Sequence, residues 1–409
     1  MTLTEFIRDQ IQADPDFNQR VGLGVGVFSG GTQCTFFGGR ISTERNQPPD
    51  ERTLFEIGSI TKVFTTTLLA DLHLAGELGL DDRVNRYLPP HGRIRGPYGD
   101  DVTLRHLSTH TSGLARLPVN LSWKKLSSDN PYADYGDDDL YAGLARCRLK
   151  NRPGTRTRYS NWGSGLLGHV LSLVGGADYE RLVIERILEP LGMHDTVIQL
   201  SDEQQQRLAP GHSRGKPVRN WEFQALAGAG AFYSTVADML RFVRANLDPG
   251  SSPLAQAIEL THEVQTEYTW KWYGDFGCLG PITFVSLGSL LAWRPFGLPT
   301  WLRWAIPVAV PVLMLSLWQF GIVGSLDDLA LGWHFDRLED DGLPLSQEAL
   351  WHNGGTDGYR SYLAFSKQHG TGVVVLANSD QDPDATGRQL LMRLVHRQSS
   401  PPDNFVAPV

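Results

Sequence analysis

An α/β fold is predicted by three features of the chain: strand-like pairs near both ends, helical patterning between them, and one long apolar segment late in the chain. Together they describe an antiparallel sheet built from both chain ends and flanked by helices, with a mainly helical region inserted into it and a hydrophobic insertion besides. The expected boundaries are 15–70 with 328–395 for a discontinuous α/β sheet domain, 71–268 for the mainly helical region, and 276–326 for the insertion.

The N-terminal stretch places Leu3, Phe6, Ile7 and Ile11 near helical spacing, which predicts a short amphipathic helix. Glu5, Arg8, Asp9, Asp14, Asp16 and Arg20 interrupt any apolar run there, so no signal peptide is expected. From Val21 to Gly39, two short apolar runs flank Gly30-Gly31 and predict a β-hairpin. Tyr359 to Ser366 and Thr371 to Asn378 predict a second strand pair at the far end. Between them, Ser59–Ala75, Gly163–Val174 and Tyr179–Leu188 read as helices, separated by Pro- and Gly-rich breaks at 88–99 and 152–154.

With 409 residues, 41% hydrophobic and 20% charged, the chain is long enough for a large core and too apolar for disorder. Lys+Arg 37 against Asp+Glu 45 gives a net charge of −8, so no nucleic-acid partner is expected, because phosphate neutralisation needs a basic surface. Cys34, Cys147 and Cys278 are few and far apart, which suits neither a disulfide framework nor a thiolate metal site.

One segment differs in kind. From Phe276 to Leu326 the only charges are Arg294 and Arg303, which leave uncharged runs at 276–293 and 304–326, each near the roughly 20 residues that span a bilayer as helix. Trp270, Trp272, Trp293, Trp301, Trp304 and Trp318 lie in or beside it, several near the ends of the runs where interfacial aromatics sit. A membrane hairpin with lipid contact through 276–326 is the expectation, on a protein otherwise cytoplasmic; an apolar flap over an acyl pocket is the other reading.

Three S-x-x-K patterns occur: Ser59–Lys62, Ser122–Lys125 and Ser213–Lys216. Only Ser59 opens an apolar helix. At a helix start its backbone N–H has no intrahelical partner and can hold an oxyanion, helped by the macrodipole. Lys62, three residues on, shares its face. Among apolar groups its ammonium is disfavoured, so the neutral amine can take the serine proton. Gly163, Gly165 and Gly168 match G-x-G-x-x-G, yet no apolar strand leads into them, and close helix packing is the better account. His106 and His110 lie four apart without a third ligand at useful spacing, so no metal site is expected. No G-x-S-x-G elbow occurs.

The stretch FEIGSITKVFTTTLLADLHLAGELGLDDRVNRYLP, a nucleophile helix and its following turn, is followed in order by LRHLSTHTSGL, RPGTRTRYSNWGSGLLGHVL and EPLGMHDT, and the set resembles the serine β-lactamase and penicillin-binding protein superfamily. It is closest to the branch of class C β-lactamases, D,D-carboxypeptidases, D-aminopeptidases and related esterases. The resemblance covers about 15–270 and 328–380 and implies a β-lactamase-like fold and no cofactor. It makes Ser59, Lys62 and Tyr159 catalytic, with Tyr159-Ser160-Asn161 as the Y-x-N motif: Tyr159 would relay the proton to the leaving group, and Asn161 would bond the substrate amide or Lys62. His352-Asn353-Gly354-Gly355 stands where lactamases usually carry K-T-G, so His352, Gly354 and Gly355 would line the substrate and the Gly355 N–H would complete the oxyanion hole. Without that lysine, strong lactamase activity is not expected.

The reading is a metal-independent serine hydrolase acting through an acyl-enzyme on a small ester, a D-amino-acid peptide or amide, or a β-lactam. The alternative is a membrane-anchored penicillin-binding or sensing protein that is acylated without efficient turnover.

Overall fold

The computed structural model describes residues 2–14, 20–122, 128, 130–265, 330–337 and 348–399. The chain divides into two units, 1–266 with 329–409, and 267–328; the second lies outside the described residues. The strands are, in chain order, β1 Gly22–Ser29, β2 Thr32–Gly39, β3 Phe55–Glu56, β4 His212–Ser213, β5 Lys216–Pro217, β6 Tyr233–Ser234, β7 His334–Arg337, β8 Glu348–Gly355, β9 Arg360–Ser366 and β10 Thr371–Ala377. Six of them form one antiparallel sheet in the order β2-β1-β10-β9-β8-β7. The sheet therefore joins both chain ends, through pairs such as Val25↔Val375. The hairpin turn falls at Gly30-Gly31, both at positive φ (57° and 77°), as a tight turn between Ser29↔Thr32 requires.

Both faces of the sheet are covered. On one face Val25, Val27, Val373 and Val375 pack with Phe6, Ile7 and Ile11 of helix α1 (Leu3–Gln12) and with Leu390, Leu391 and Leu394 of the C-terminal helix Asp384–Ser399. Alternate residues, among them Leu363, Phe365, Val374 and Leu376, enter the larger core shared with the helical region. At the centre of that region runs α2 (Thr61–Leu74), buried nearly all round. Its threonines survive there because their hydroxyls bond carbonyls: Thr65 to Gly228 at 2.8 Å, Thr66 to Leu331 at 2.9 Å and Thr67 to Val63 at 2.7 Å.

The G-x-G-x-x-G residues lie on α3 (Asn161–Gly175). A Cβ on Gly165 would sit 2.5 Å from Leu226, and one on Gly168 would sit 2.9 Å from the Gly228 backbone, so these glycines permit close packing. His106 accepts from the Thr103 N–H at 3.2 Å, whereas His110 accepts from the Ser160 N–H at 3.3 Å; the two rings serve different segments.

The expected membrane association is corrected. Among the described residues no helix is long and apolar enough to cross a membrane, and 276–326 itself lies outside the described residues. The apolar composition that suggested a hairpin is a property of segment length and charge, which does not by itself specify a spanning helix. The described residues on either side of that segment do meet: the rings of His262 and Trp333 are 6.3 Å apart, edge to face.

Candidate active site

Ser59 sits in a single 3-10 turn, Gly58–Ile60, that feeds directly into α2. The sequence reading put it in the first α-helical turn; the tighter turn keeps Lys62 three residues on and over the serine. Lys62 Nζ lies 2.9 Å from Ser59 Oγ and donates to the Ala229 carbonyl at 2.6 Å. Lys62 is 1% exposed, whereas Ser59 is only half-buried and open to a substrate. Burial first, and the Arg116 charge second, hold the Lys62 ammonium well below its ordinary pKa. A neutral amine beside a serine hydroxyl is a competent base.

Tyr159 closes the other side. Its ring lies 4.9 Å from Lys62 Nζ. Burial pushes the phenol up to about 12, partly opposed by its contact with Ser59 and by the Arg116 charge. Tyr159 is thus a neutral O–H at pH 7, suited to donating a proton. The segment that carries it is pinned to 110–116 by Arg158 N–H to the His110 carbonyl at 2.7 Å, Ser160 Oγ to the Ala115 carbonyl at 2.6 Å and Asn161 N–H to the Arg116 carbonyl at 3.0 Å. Asn161 Nδ2 donates to the Tyr132 hydroxyl at 3.3 Å, and among the described residues its buried Oδ1 has no partner. Lys62 is bonded instead to Ser59 and Ala229.

The third wall is the end of β8. Strand β7 pairs with β8 only as far as His334↔Trp351, so from His352 on no described strand covers that edge. There the backbone meets the serine turn. A Cβ on Gly58, whose φ is 49°, would lie 2.7 Å from the Gly355 nitrogen, and one on Gly354 would lie 2.0 Å from the Ile57 carbonyl oxygen. The two glycines of the motif and the glycine before the serine are one close approach. It brings the Gly355 nitrogen against Gly58, the residue before Ser59, and Gly355 is exposed. Ser361 Oγ bonds the Ile57 carbonyl at 2.8 Å and fixes the spacing.

His352 is fully buried, with Nδ1 2.6 Å from the Asn353 carbonyl and Nε2 without a partner among the described residues. His334 stands 5.3 Å from it, ring centre to ring centre, and His110 lies 4.5 Å from the Tyr159 ring. Burial holds His110 and His352 well below the usual imidazole range and His334 down to about 4, so all three are neutral near pH 7. Of the other S-x-x-K serines, Ser213 bonds Asp380 at 3.3 Å beside an exposed Lys216, away from this arrangement, and Lys125 lies outside the described residues.

Sequence reasoning missed Ala229, Arg116, His110 and His334. The small-residue run AGAGA at 227–231 was the available signal for the first, since it marks backbone approached closely by another segment. The others are joined to the site only by tertiary contacts.

An antiparallel sheet edge facing a serine, with a buried lysine and a tyrosine around it, defines a serine hydrolase of the β-lactamase and penicillin-binding protein superfamily. The family model described as beta-lactamase matches residues 7–288, more than half of the chain, and the chain belongs to that family. It is 29% identical over 363 residues to a protein named beta-lactamase from Pseudomonas fluorescens, covering 88% of each. It is also 30% identical over 246 residues to the D-alanyl-D-alanine-carboxypeptidase/endopeptidase AmpH of Escherichia coli (strain K12), covering 60% of this chain and 61% of that one. In fold it is similar to a solved class C beta-lactamase, with TM-score 0.72, 22% identity and coverage of 97% and 96%. The class C beta lactamase from Rhodobacter sphaeroides gives TM-score 0.70 at 24% identity, covering 96% of this chain and 99% of that one.

Proposed function

We propose that the chain cleaves an amide or ester by way of an acyl-enzyme on Ser59. Ser59 Oγ attacks the carbonyl carbon as its proton passes to the neutral Lys62 amine, and the Ser59 and Gly355 N–H groups hold the oxyanion. The bond to the leaving group then breaks as Tyr159 delivers a proton to it, Lys62 returning the serine's proton to Tyr159. Water reverses the sequence, restores Ser59 and releases the acid. Asn161 Oδ1 accepts from the substrate amide.

The observation that carries this reading is the 2.9 Å approach of a buried Lys62 to a reachable Ser59. Relatives named beta-lactamase and D-alanyl-D-alanine-carboxypeptidase/endopeptidase support β-lactams and D-amino-acid peptides as substrates, with small esters open to the same chemistry. The neutral, buried His352 favours peptides and esters over efficient β-lactam turnover.

The test is intact-protein mass spectrometry of wild type and Ser59→Ala after brief exposure to a penicillin, with penicillin, a D-alanyl-D-alanine peptide and an activated ester assayed in parallel. Ser59-dependent adduct or turnover is expected on at least one. Equal turnover in Ser59→Ala would overturn the mechanism, and a stable adduct without turnover would make the chain a binder of these compounds.

A further inference from the structure

Positive charge is segregated along this chain. From Leu140 to Ala177 there is no aspartate or glutamate, although the whole chain carries 45 of them and a net charge of −8. Within that stretch Arg146, Arg148, Lys150, Arg152, Arg156 and Arg158 are all exposed. Alternation sets them outward. Cys147 leaves the helix Asp137–Arg146 in extended backbone (φ −62°, ψ 141°), and Cys147 and Leu149 are buried between the exposed Arg146, Arg148 and Lys150. The same period returns just before the active site. There Arg156 and Arg158 face solvent, while Thr157 turns its hydroxyl oxygen into the protein and Tyr159 turns its ring toward Lys62.

The backbone beneath this row is pinned. Gly154 N–H donates to the Thr111 carbonyl at 2.9 Å, Arg158 N–H to the His110 carbonyl at 2.7 Å, and Thr155 Oγ1 to the Arg152 carbonyl at 2.6 Å. A second segment of the same pattern lies alongside: Arg93 and Arg95 are exposed on either side of the buried Ile94, and a Cβ on Gly96 would lie 3.2 Å from Arg148 Cδ. The carboxylates of these loops are Asp101, 4.0 Å from Arg152, and Asp100, which accepts from Asn85 at 2.7 Å. Arg152 is the one cation of the set with an ion-pair partner among the described residues.

We propose that residues 93–95 and 146–158 form a docking strip for a linear polyanion, a polymer that repeats carboxylate or phosphate groups along its backbone. Alternate residues of an extended segment stand about 7 Å apart, so the strip offers cations at a spacing that a repeating polymer can match. Each cation it engages releases a counterion condensed on the polymer, and guanidinium pairs with carboxylate and phosphate alike. The other exposed residues of 146–158 are Asn151, Gly154 and Thr155, which give no aromatic ring to stack on a base and no apolar side chain to enter a bilayer. A bare polyanion therefore fits better than a nucleic acid or a lipid surface. The row ends at the residue before Tyr159, so a docked polymer reaches the serine site from the side of Arg158. Binding to the strip does not require the chemistry of Ser59.

The test titrates the full chain into dye-labelled poly-L-glutamate and dye-labelled inorganic polyphosphate and follows fluorescence anisotropy. Wild type and Ser59→Ala are expected to bind alike, with affinity falling roughly tenfold or more between about 50 and 200 mM salt. The triple variant Arg148→Gln, Lys150→Gln, Arg156→Gln should lose about tenfold or more at the lower salt, with an unchanged circular dichroism melt. The triple variant Arg8→Gln, Lys216→Gln, Arg244→Gln removes the same number of exposed cations elsewhere and should bind as wild type does. Salt-sensitive binding of either polymer that is lost in the strip variant alone supports the assignment, and the tighter polymer names the anion. No binding at the lower salt, or equal losses in the two triple variants, overturns it. Tighter binding of single-stranded poly(U) than of either polymer would assign the strip to RNA instead, and binding confined to phosphatidylglycerol vesicles would assign it to a lipid surface; both outcomes overturn the proposal. Failure of Ser59-dependent turnover would leave it standing, because Ser59→Ala retains the strip.

Discussion

A methyl group on Gly354 would lie 2.0 Å from the carbonyl oxygen of Ile57, so these two backbones touch as closely as glycine allows. This contact sets the distance between the serine turn and the proposed oxyanion donor of Gly355.

Gly354→Ala is therefore expected to push β8 away from Ser59. Misplacement of about 1 Å at a reacting centre costs on the order of a hundredfold in rate, and overpacking costs roughly 1–3 kcal/mol of stability. Steady-state kinetics with thermal melting checks both, and a variant with wild-type kcat/KM would refute the geometric role.

Lys62→Met removes the proposed base while keeping an unbranched side chain in the buried slot. General-base loss predicts a fall of roughly 10²–10⁴ in kcat/KM. Folding is expected to persist, because a buried amine gives way to an apolar group of similar length. A circular dichroism melt alongside the rate distinguishes lost chemistry from lost structure. In wild type the rate should rise with pH through an ionisation well below the ordinary lysine pKa, and that limb should vanish in Lys62→Met.

Glu56 lies three residues before the nucleophile, 4% exposed, with Oε1 accepting from Asn220 Nδ2 at 2.7 Å and the Trp221 N–H at 3.0 Å. Burial pushes its carboxyl up to about 7, well above the ordinary carboxylate range. Below pH 4.5 both folded and unfolded chains hold the proton, and the group contributes nothing. As pH rises toward 7 the unfolded chain releases it first, so stability falls across that window by up to about 3 kcal/mol. Glu56→Gln is expected to flatten the pH dependence between 5 and 8 and to melt higher than wild type at pH 8. Parallel pH–stability curves for the two proteins would refute this.

Gly168→Ala separates propensity from packing. Alanine in a helix interior ordinarily stabilises by about 1 kcal/mol relative to glycine. Here the added carbon would meet the Gly228 backbone at 2.9 Å, one residue before the carbonyl that receives Lys62. The expected outcome is destabilisation of roughly 1–3 kcal/mol with reduced activity, read by urea unfolding and initial rates. A stabilised variant would show that the helix can shift without cost.

The sequence by itself determined the local elements. Leu3, Phe6, Ile7 and Ile11 repeat at helical spacing, and α1 follows from them. Gly30-Gly31 sits between two apolar runs, and the hairpin turns there. The order of motifs around Ser59, Lys62 and Tyr159 named the superfamily, because each motif is a contiguous string whose local geometry is encoded in place. The long apolar run at 276–326 misled for the same reason: charge and length are local properties, and the expected membrane association found no spanning helix among the described residues. The tertiary structure decided what depends on segments distant in the chain. It set Ala229 against Lys62, ended β7 so that His352–Gly355 is left uncovered, and gathered His110, His334 and His352 into one buried group. It also stationed Arg116 over Tyr159, forty-three residues away in sequence. Burial and charge at a site are sums over neighbours that only folding assembles, and for that reason the pKa of Lys62 could be anticipated in direction from its apolar helix, whereas the neutral histidines and the exposed guanidinium beside it could not.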